Sequence, residues 1–149
     1  IKSPTKKDID YLENLFDINK VKESVSFLSP EKEFINHLNL YNKIDIALDT
    51  FPWNGVTTSF ESIWMGVPVL TLKGYNFNSR CGESINRNMN MEELISINED
   101  DYVKKAVNLA TNQDYLMSIR KKIYNDAIIS PLFNADKFSR DFFNLLKKL

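Results

Sequence analysis

The chain has 149 residues and a formal net charge of −1, from 19 basic and 20 acidic residues, which fits one domain and excludes a nucleic-acid footprint built on surplus positive charge. Hydrophobic residues at 43% and aromatics at 12% exclude a disordered chain, and no apolar run nears the roughly 20 residues of a membrane span. A single cysteine, Cys81, leaves no internal disulfide and a single histidine, His37, leaves no histidine cluster for zinc, so the expected setting is reducing and cytoplasmic, with no metal.

Ile1-Lys2-Ser3-Pro4 reads as a strand end running into a turn, because Pro4 biases Ser3 to extended conformations. Ile1 in place of a methionine points to a piece of a longer protein. Thr5 with Asp8 marks a helix start, and Ile9, Leu12, Leu15 and Phe16 follow at helical spacing. Val25 to Leu28 predicts a short strand. Ser29-Pro30-Glu31 then opens a helix carrying Phe34, Ile35, Leu38 and Tyr41. Ile44 to Asp49 predicts a buried parallel strand, Thr50 to Val56 a loop, and Thr57 to Met65 a helix stopped by Gly66. Val67 to Leu72 predicts the next strand. A polar loop follows from Lys73 to Ser79, then a helix from near Arg80 and another from about Asp100. A helical tail runs from about Asp114, broken at Ser130-Pro131. Strands alternating with helices give an α/β, Rossmann-like parallel sheet with flanking helices, as one partial domain over 1–149.

All four glycines lie between Gly55 and Gly82, so backbone-special positions concentrate there. The segment Ile44 to Thr58 reads as strand, loop, glycine and then a helix opening on two threonines. Open α/β sheets bind ligands beyond the carboxyl ends of their strands, where a helix start offers unpaired N–H groups and about half a positive charge. The hydroxyls of Thr57 and Thr58 add donors at the same point. Glu61, one turn on, shares their face and suits a ribose. The chemistry is that of a nucleotide-phosphate site, with Asn54, Gly55 and Val56 shaping its loop. An ordinary loop and helix cap has the same local residues. Arg80 reaches the phosphates or, as the favoured alternative, braces its loop on carbonyls. Trp53 lines the pocket or pins the loop. Trp64 and Cys81 read as core, and Asp49 as a cap for its loop.

Asp49-Thr50-Phe51-Pro52, Asn54-Gly55, Thr57-Thr58, Glu61, Trp64-Met65-Gly66-Val67-Pro68-Val69, Ser79-Arg80 and Ser130-Pro131-Leu132-Phe133 together resemble the C-terminal domain of the O-GlcNAc transferase and SPINDLY-like glycosyltransferases, glycosyltransferase family 41. The resemblance runs from about Ser29 to near the C-terminus. It implies the C-terminal lobe of a two-lobed GT-B enzyme, truncated at its N-terminus. It also implies metal-independent transfer, with inversion, of a sugar from a nucleotide donor. UDP-GlcNAc is the expected donor and Ser or Thr of a protein acceptor, bound by regions absent here, the expected target. On the same basis Thr57 and Thr58 match threonines on the donor diphosphate, Glu61 an acidic position near the ribose, and His37 a histidine that packs on the base. The departures are Val56, Phe34 and Leu40, where family members carry polar or basic residues. They favour a second reading, a Rossmann-like nucleotide-binding or interaction module without activity. The family's phosphate-contacting lysine lies upstream of Ile1, so the isolated chain is expected to be inactive. Neither a nucleic acid nor a membrane is expected as a partner.

Overall fold

A computed structural model describes residues 5–29 and 31–148. The expectations placed on Ile1 to Pro4 and on Pro30 lie outside the described residues. The chain groups into two compact units, Ile1–His37 and Leu38–Leu149.

In the first unit, helix α1 (Lys6–Ile18) starts at a reciprocal cap. The Asp8 N–H donates to the Thr5 hydroxyl at 3.3 Å and the Thr5 N–H donates to the Asp8 carboxylate at 2.8 Å. Phe16 packs against Phe27 in a tilted arrangement, with ring centroids 6.3 Å apart. The strand expected over Val25 to Leu28 does not form: the segment pairs with no strand among the described residues. Its side chains suit a sheet, but a strand needs a neighbour's N–H and C=O groups in register. The unit closes within α2 (Phe34–Leu40). That helix begins later than the Ser29 cap predicts, with a bend at Lys32 and Glu33. Tyr41 leaves it for a 3₁₀ turn, Tyr41–Lys43.

The second unit holds a three-stranded parallel sheet in the order β1 (Ala47–Leu48), β2 (Val69–Leu72), β3 (Ile95–Ser96). Ala47 pairs with Val69, and Thr71 with Ile95. The β1 strand is shorter than Ile44 to Asp49, and β3 was not expected at all. Helices α3 (Thr57–Trp64) and α4 (Cys81–Asn88) make the crossovers, and α5 (Glu99–Thr111), α6 (Gln113–Ile129) and α7 (Ala135–Leu146) follow. These parallel strands and flanking helices are the predicted α/β, Rossmann-like class, with its helical tail.

Local chemistry sets these boundaries. Gly66 ends α3 with φ +75°, a left-handed value that glycine adopts without strain. Asn98, Asn112 and Asn134 cap α5, α6 and α7 with their side chains. The Ser130 hydroxyl accepts from the Leu132 N–H at 3.2 Å, and Pro131 opens a 3₁₀ turn where α6 stops. Every residue of β2 is buried, as a near-continuous apolar run in a covered parallel strand should be. The core joins Val69 and Leu70 to Ile63 of α3, Ile85 of α4 and Met89 just after it, Leu109 of α5, and Leu116, Ile119 and Ile123 of α6. Burial of each such side chain stabilises by about 1.5–3 kcal/mol. Trp64, expected in the core, is instead 58% exposed. Its indole lies on Phe133, ring centroids 5.1 Å apart, because the face of α3 that enters the core carries Ser59, Ser62 and Ile63. No helix among the described residues is long and apolar enough to cross a membrane.

Candidate functional site

The chain leaves β1 at Leu48 and turns through Thr50 to Val56 into α3. Asp49, buried at the strand end, fixes that turn. Its carboxylate accepts the Gly55 N–H at 2.8 Å through one oxygen and the Thr71 hydroxyl at 2.8 Å through the other. Its carbonyl accepts the Tyr102 hydroxyl of α5 at 3.1 Å. The expected role of Asp49 as a cap for the loop is thus what the structure displays. Asn54 is buried too. Its amide donates to the Thr50 carbonyl at 3.0 Å, and its oxygen accepts the Gly82 N–H of α4 at 3.3 Å. Its side chain builds the loop rather than projecting from it. The Phe51–Pro52 peptide bond is cis. Trp53 is 72% exposed, so its indole does not pin the loop.

Burial pushes the Asp49 carboxyl above its ordinary value of 3.8, while the Gly55 N–H and the Thr71 hydroxyl pull the other way without prevailing. A raised carboxyl favours folding in its neutral form. That contribution is complete below the ordinary value and is lost as pH rises through the raised one. Asp49→Asn, which has no charge to desolvate, is therefore expected to gain melting temperature relative to the wild type as pH rises from 3.8 toward neutrality. A difference that stays constant across this range in thermal melts would exclude the shift.

At the end of the loop, Val56 precedes α3 with no side-chain hydrogen bond capping the helix. The leading N–H groups of a helix have no acceptor within it, so they face outward with the positive end of the helix dipole. Val56, Thr57 and Thr58 are all exposed. Two threonines and the leading N–H donors are therefore exposed at a helix start beyond the sheet, an arrangement that can hold an anion. Glu61, one turn on, accepts the Tyr41 hydroxyl at 3.0 Å. Burial first, then this carboxylate, pushes the Tyr41 hydroxyl up to about 12.

Among the described residues the Arg80 side chain donates to no carbonyl of its loop. Its Nε donates to Glu83 at 3.0 Å, and Arg87 donates to the other Glu83 oxygen at 3.1 Å. Lys73 stands 3.5 Å from the same carboxylate. Burial pushes the Glu83 carboxyl up, but the two arginines and the lysine together hold it below its ordinary range. Glu83 and Arg87 escaped the sequence reading, although Arg80, Glu83 and Arg87 stand one helical turn apart in succession. Cys81, expected to be buried, is half-exposed, with its Sγ 3.3 Å from the Phe77 carbonyl. Thr57, Thr58, Glu61, Gly55, Val56, Asn54 and Arg80 all belong to the second unit. His37 lies on α2 in the first, half-buried. Among the described residues no group of three or more His, Cys, Asp or Glu side chains is placed to hold a metal.

The family model described as Glycosyl transferase family 41 matches residues 10–142, beginning well before Ser29. The probable UDP-N-acetylglucosamine–peptide N-acetylglucosaminyltransferase SPINDLY of Solanum lycopersicum is 35% identical over 114 residues, 76% of this chain and 12% of that protein. That of Eustoma exaltatum subsp. russellianum is 39% identical over 106 residues, 71% of this chain and 12% of its own length. The UDP-N-acetylglucosamine–peptide N-acetylglucosaminyltransferase of Caenorhabditis elegans is 30% identical over 113 residues, covering 76% of this chain and 10% of its length. Among solved structures, a mutant O-GlcNAc transferase of Thermobaculum terrenum superposes with a TM-score of 0.89 at 29% identity, over 97% of this chain and 28% of that one. The chain therefore spans only 10–12% of these curated relatives. With an α/β sheet, an open helix start after Asn54-Gly55 and a match over most of its length, this chain belongs to glycosyltransferase family 41.

Proposed function

We propose that this chain is the donor-binding part of a GT-B glycosyltransferase that moves a sugar, GlcNAc first, from a UDP-sugar to a protein hydroxyl with inversion. The observation that carries this reading is the exposed, uncapped start of α3, with Thr57 and Thr58 at its tip. The N–H groups and hydroxyls there suit the charge that develops on a departing diphosphate, and such preorganised donors are where much of enzymatic rate enhancement originates. No metal enters this scheme. His37 is assigned to the base and Glu61 to the ribose. Activation of the acceptor belongs to parts of the protein outside this chain.

Thermal melts of the 149-residue chain in the presence of UDP test the proposal. At one hundred times its dissociation constant, UDP stabilises by about 2.7 kcal/mol, a readily measured rise in melting temperature. Thr57→Ala with Thr58→Ala is expected to abolish that rise, since each hydrogen bond to a charged group contributes about 1.5–3 kcal/mol. If neither UDP nor GDP at millimolar concentration shifts the melt, the chain is instead an interaction module that keeps the fold alone.

A further inference from the structure

A cavity of about 660 Å³ lies between α3 and α4, with Phe60 and Leu132 among its apolar lining residues. Arg80 and Arg87 line it as well. Each guanidinium donates its Nε to a different oxygen of Glu83, whose side chain is 4% exposed. The terminal nitrogens of both arginines are left without an acceptor among the described residues. One cation would neutralise the buried carboxylate, yet three surround it: Arg80, Arg87 and Lys73. Two positive charges are therefore in surplus beside an apolar groove. Two further lining residues, Tyr75 and Phe77, are 79% and 85% exposed. Large exposed aromatics beside arginines are the composition of a protein–protein contact.

We propose that this groove docks an acidic polypeptide segment, with a carboxylate side chain seated across Arg80 and Arg87 and a neighbouring apolar side chain on Phe77. Glu83 serves as the brace. It accepts from both Nε atoms and so fixes two forks whose outer nitrogens match the two oxygens of a carboxylate. Surplus positive charge selects the sign of the partner, and the aromatics supply contact area at low entropic cost. The groove also reaches Val56 at the start of α3, so it borders the position proposed for the diphosphate, whereas Arg87 and Phe77 lie outside the residues assigned to the donor.

Fluorescence anisotropy with the 149-residue chain and a short labelled peptide alternating Glu with Phe and Leu tests this. Binding is expected to saturate and to weaken as salt rises. Arg87→Gln and Phe77→Ala should each weaken it about tenfold or more. Phe77 is well exposed, so Phe77→Ala should melt like the wild type; Arg87→Gln withdraws one partner of the buried Glu83 and should lower the melting temperature, while leaving the UDP shift intact. That last readout separates failure here from failure of the donor assignment. Equal binding of a peptide with Gln in place of Glu would overturn the proposal. So would unchanged affinity in Arg87→Gln, or full displacement of the peptide by inorganic phosphate at equal concentration, which would make the cluster a plain anion site.

Discussion

Replacing Gly82 with alanine is expected to destabilise the second unit by about 3 kcal/mol, at the upper end for overpacked cores. A methyl group at this position would stand 2.3 Å from the Thr71 hydroxyl, 2.5 Å from an Asp49 oxygen and 2.8 Å from Thr71 Cβ. None of these atoms is the loose end of a flexible chain. Thr71 is fully buried on the central strand, and its hydroxyl is committed to Asp49 at 2.8 Å. The first turn of α4 would have to lift away from the sheet, breaking the Gly82 N–H bond to Asn54 as it went. Chemical denaturation should record the loss as a fall in midpoint. Gly66→Ala is the contrasting substitution, because its Cβ would meet nothing within 4 Å and only the positive φ would be strained. A Gly82→Ala loss below that of Gly66→Ala would refute the steric argument.

The second large effect runs in two directions at once. Val56→Asp is expected to raise the melting temperature while abolishing the UDP-induced shift. A carboxylate at the uncapped start of α3 interacts favourably with the helix dipole, a gain of about 0.3–1 kcal/mol. The same charge then occupies the position proposed for diphosphate, and like-charge contact costs several kcal/mol. Paired thermal melts with and without UDP read both outcomes. A variant that still responds to UDP would place the nucleotide elsewhere. A neutral change, Val56→Thr, should preserve the response.

Long elements were legible because hydrophobic spacing and caps agree in them. Thr5 with Asp8 announced α1, Gly66 the end of α3, and Ser130-Pro131 the break before α7. The start of α3 was equally plain from Asn54-Gly55 followed by two threonines, although no side chain caps the helix there. Short strands were not legible. Ile95-Ser96 is two residues after Glu92 and Glu93, too brief for a period to register. Val25 to Leu28 carried the opposite error, a strand's composition without a pairing partner among the described residues. The ionic surroundings of Glu83 were missed for another reason. A charged residue inside a helix ordinarily faces water, and only the approach of Lys73 from the preceding loop reveals this one as buried. Trp64 misled by size, since a large aromatic in mid-helix suggests the core even where serines face it.

Asp49 pins a surface loop on itself at Gly55 and ties it to two separate elements, through Thr71 of β2 and Tyr102 of α5. The segment preceding α3 is thereby rigid before any ligand arrives. Little conformational freedom is left for binding to remove, so an incoming anion keeps most of its interaction energy as affinity. Natural variation in this loop would then act on recognition by reshaping a fixed mould rather than by changing how readily it orders.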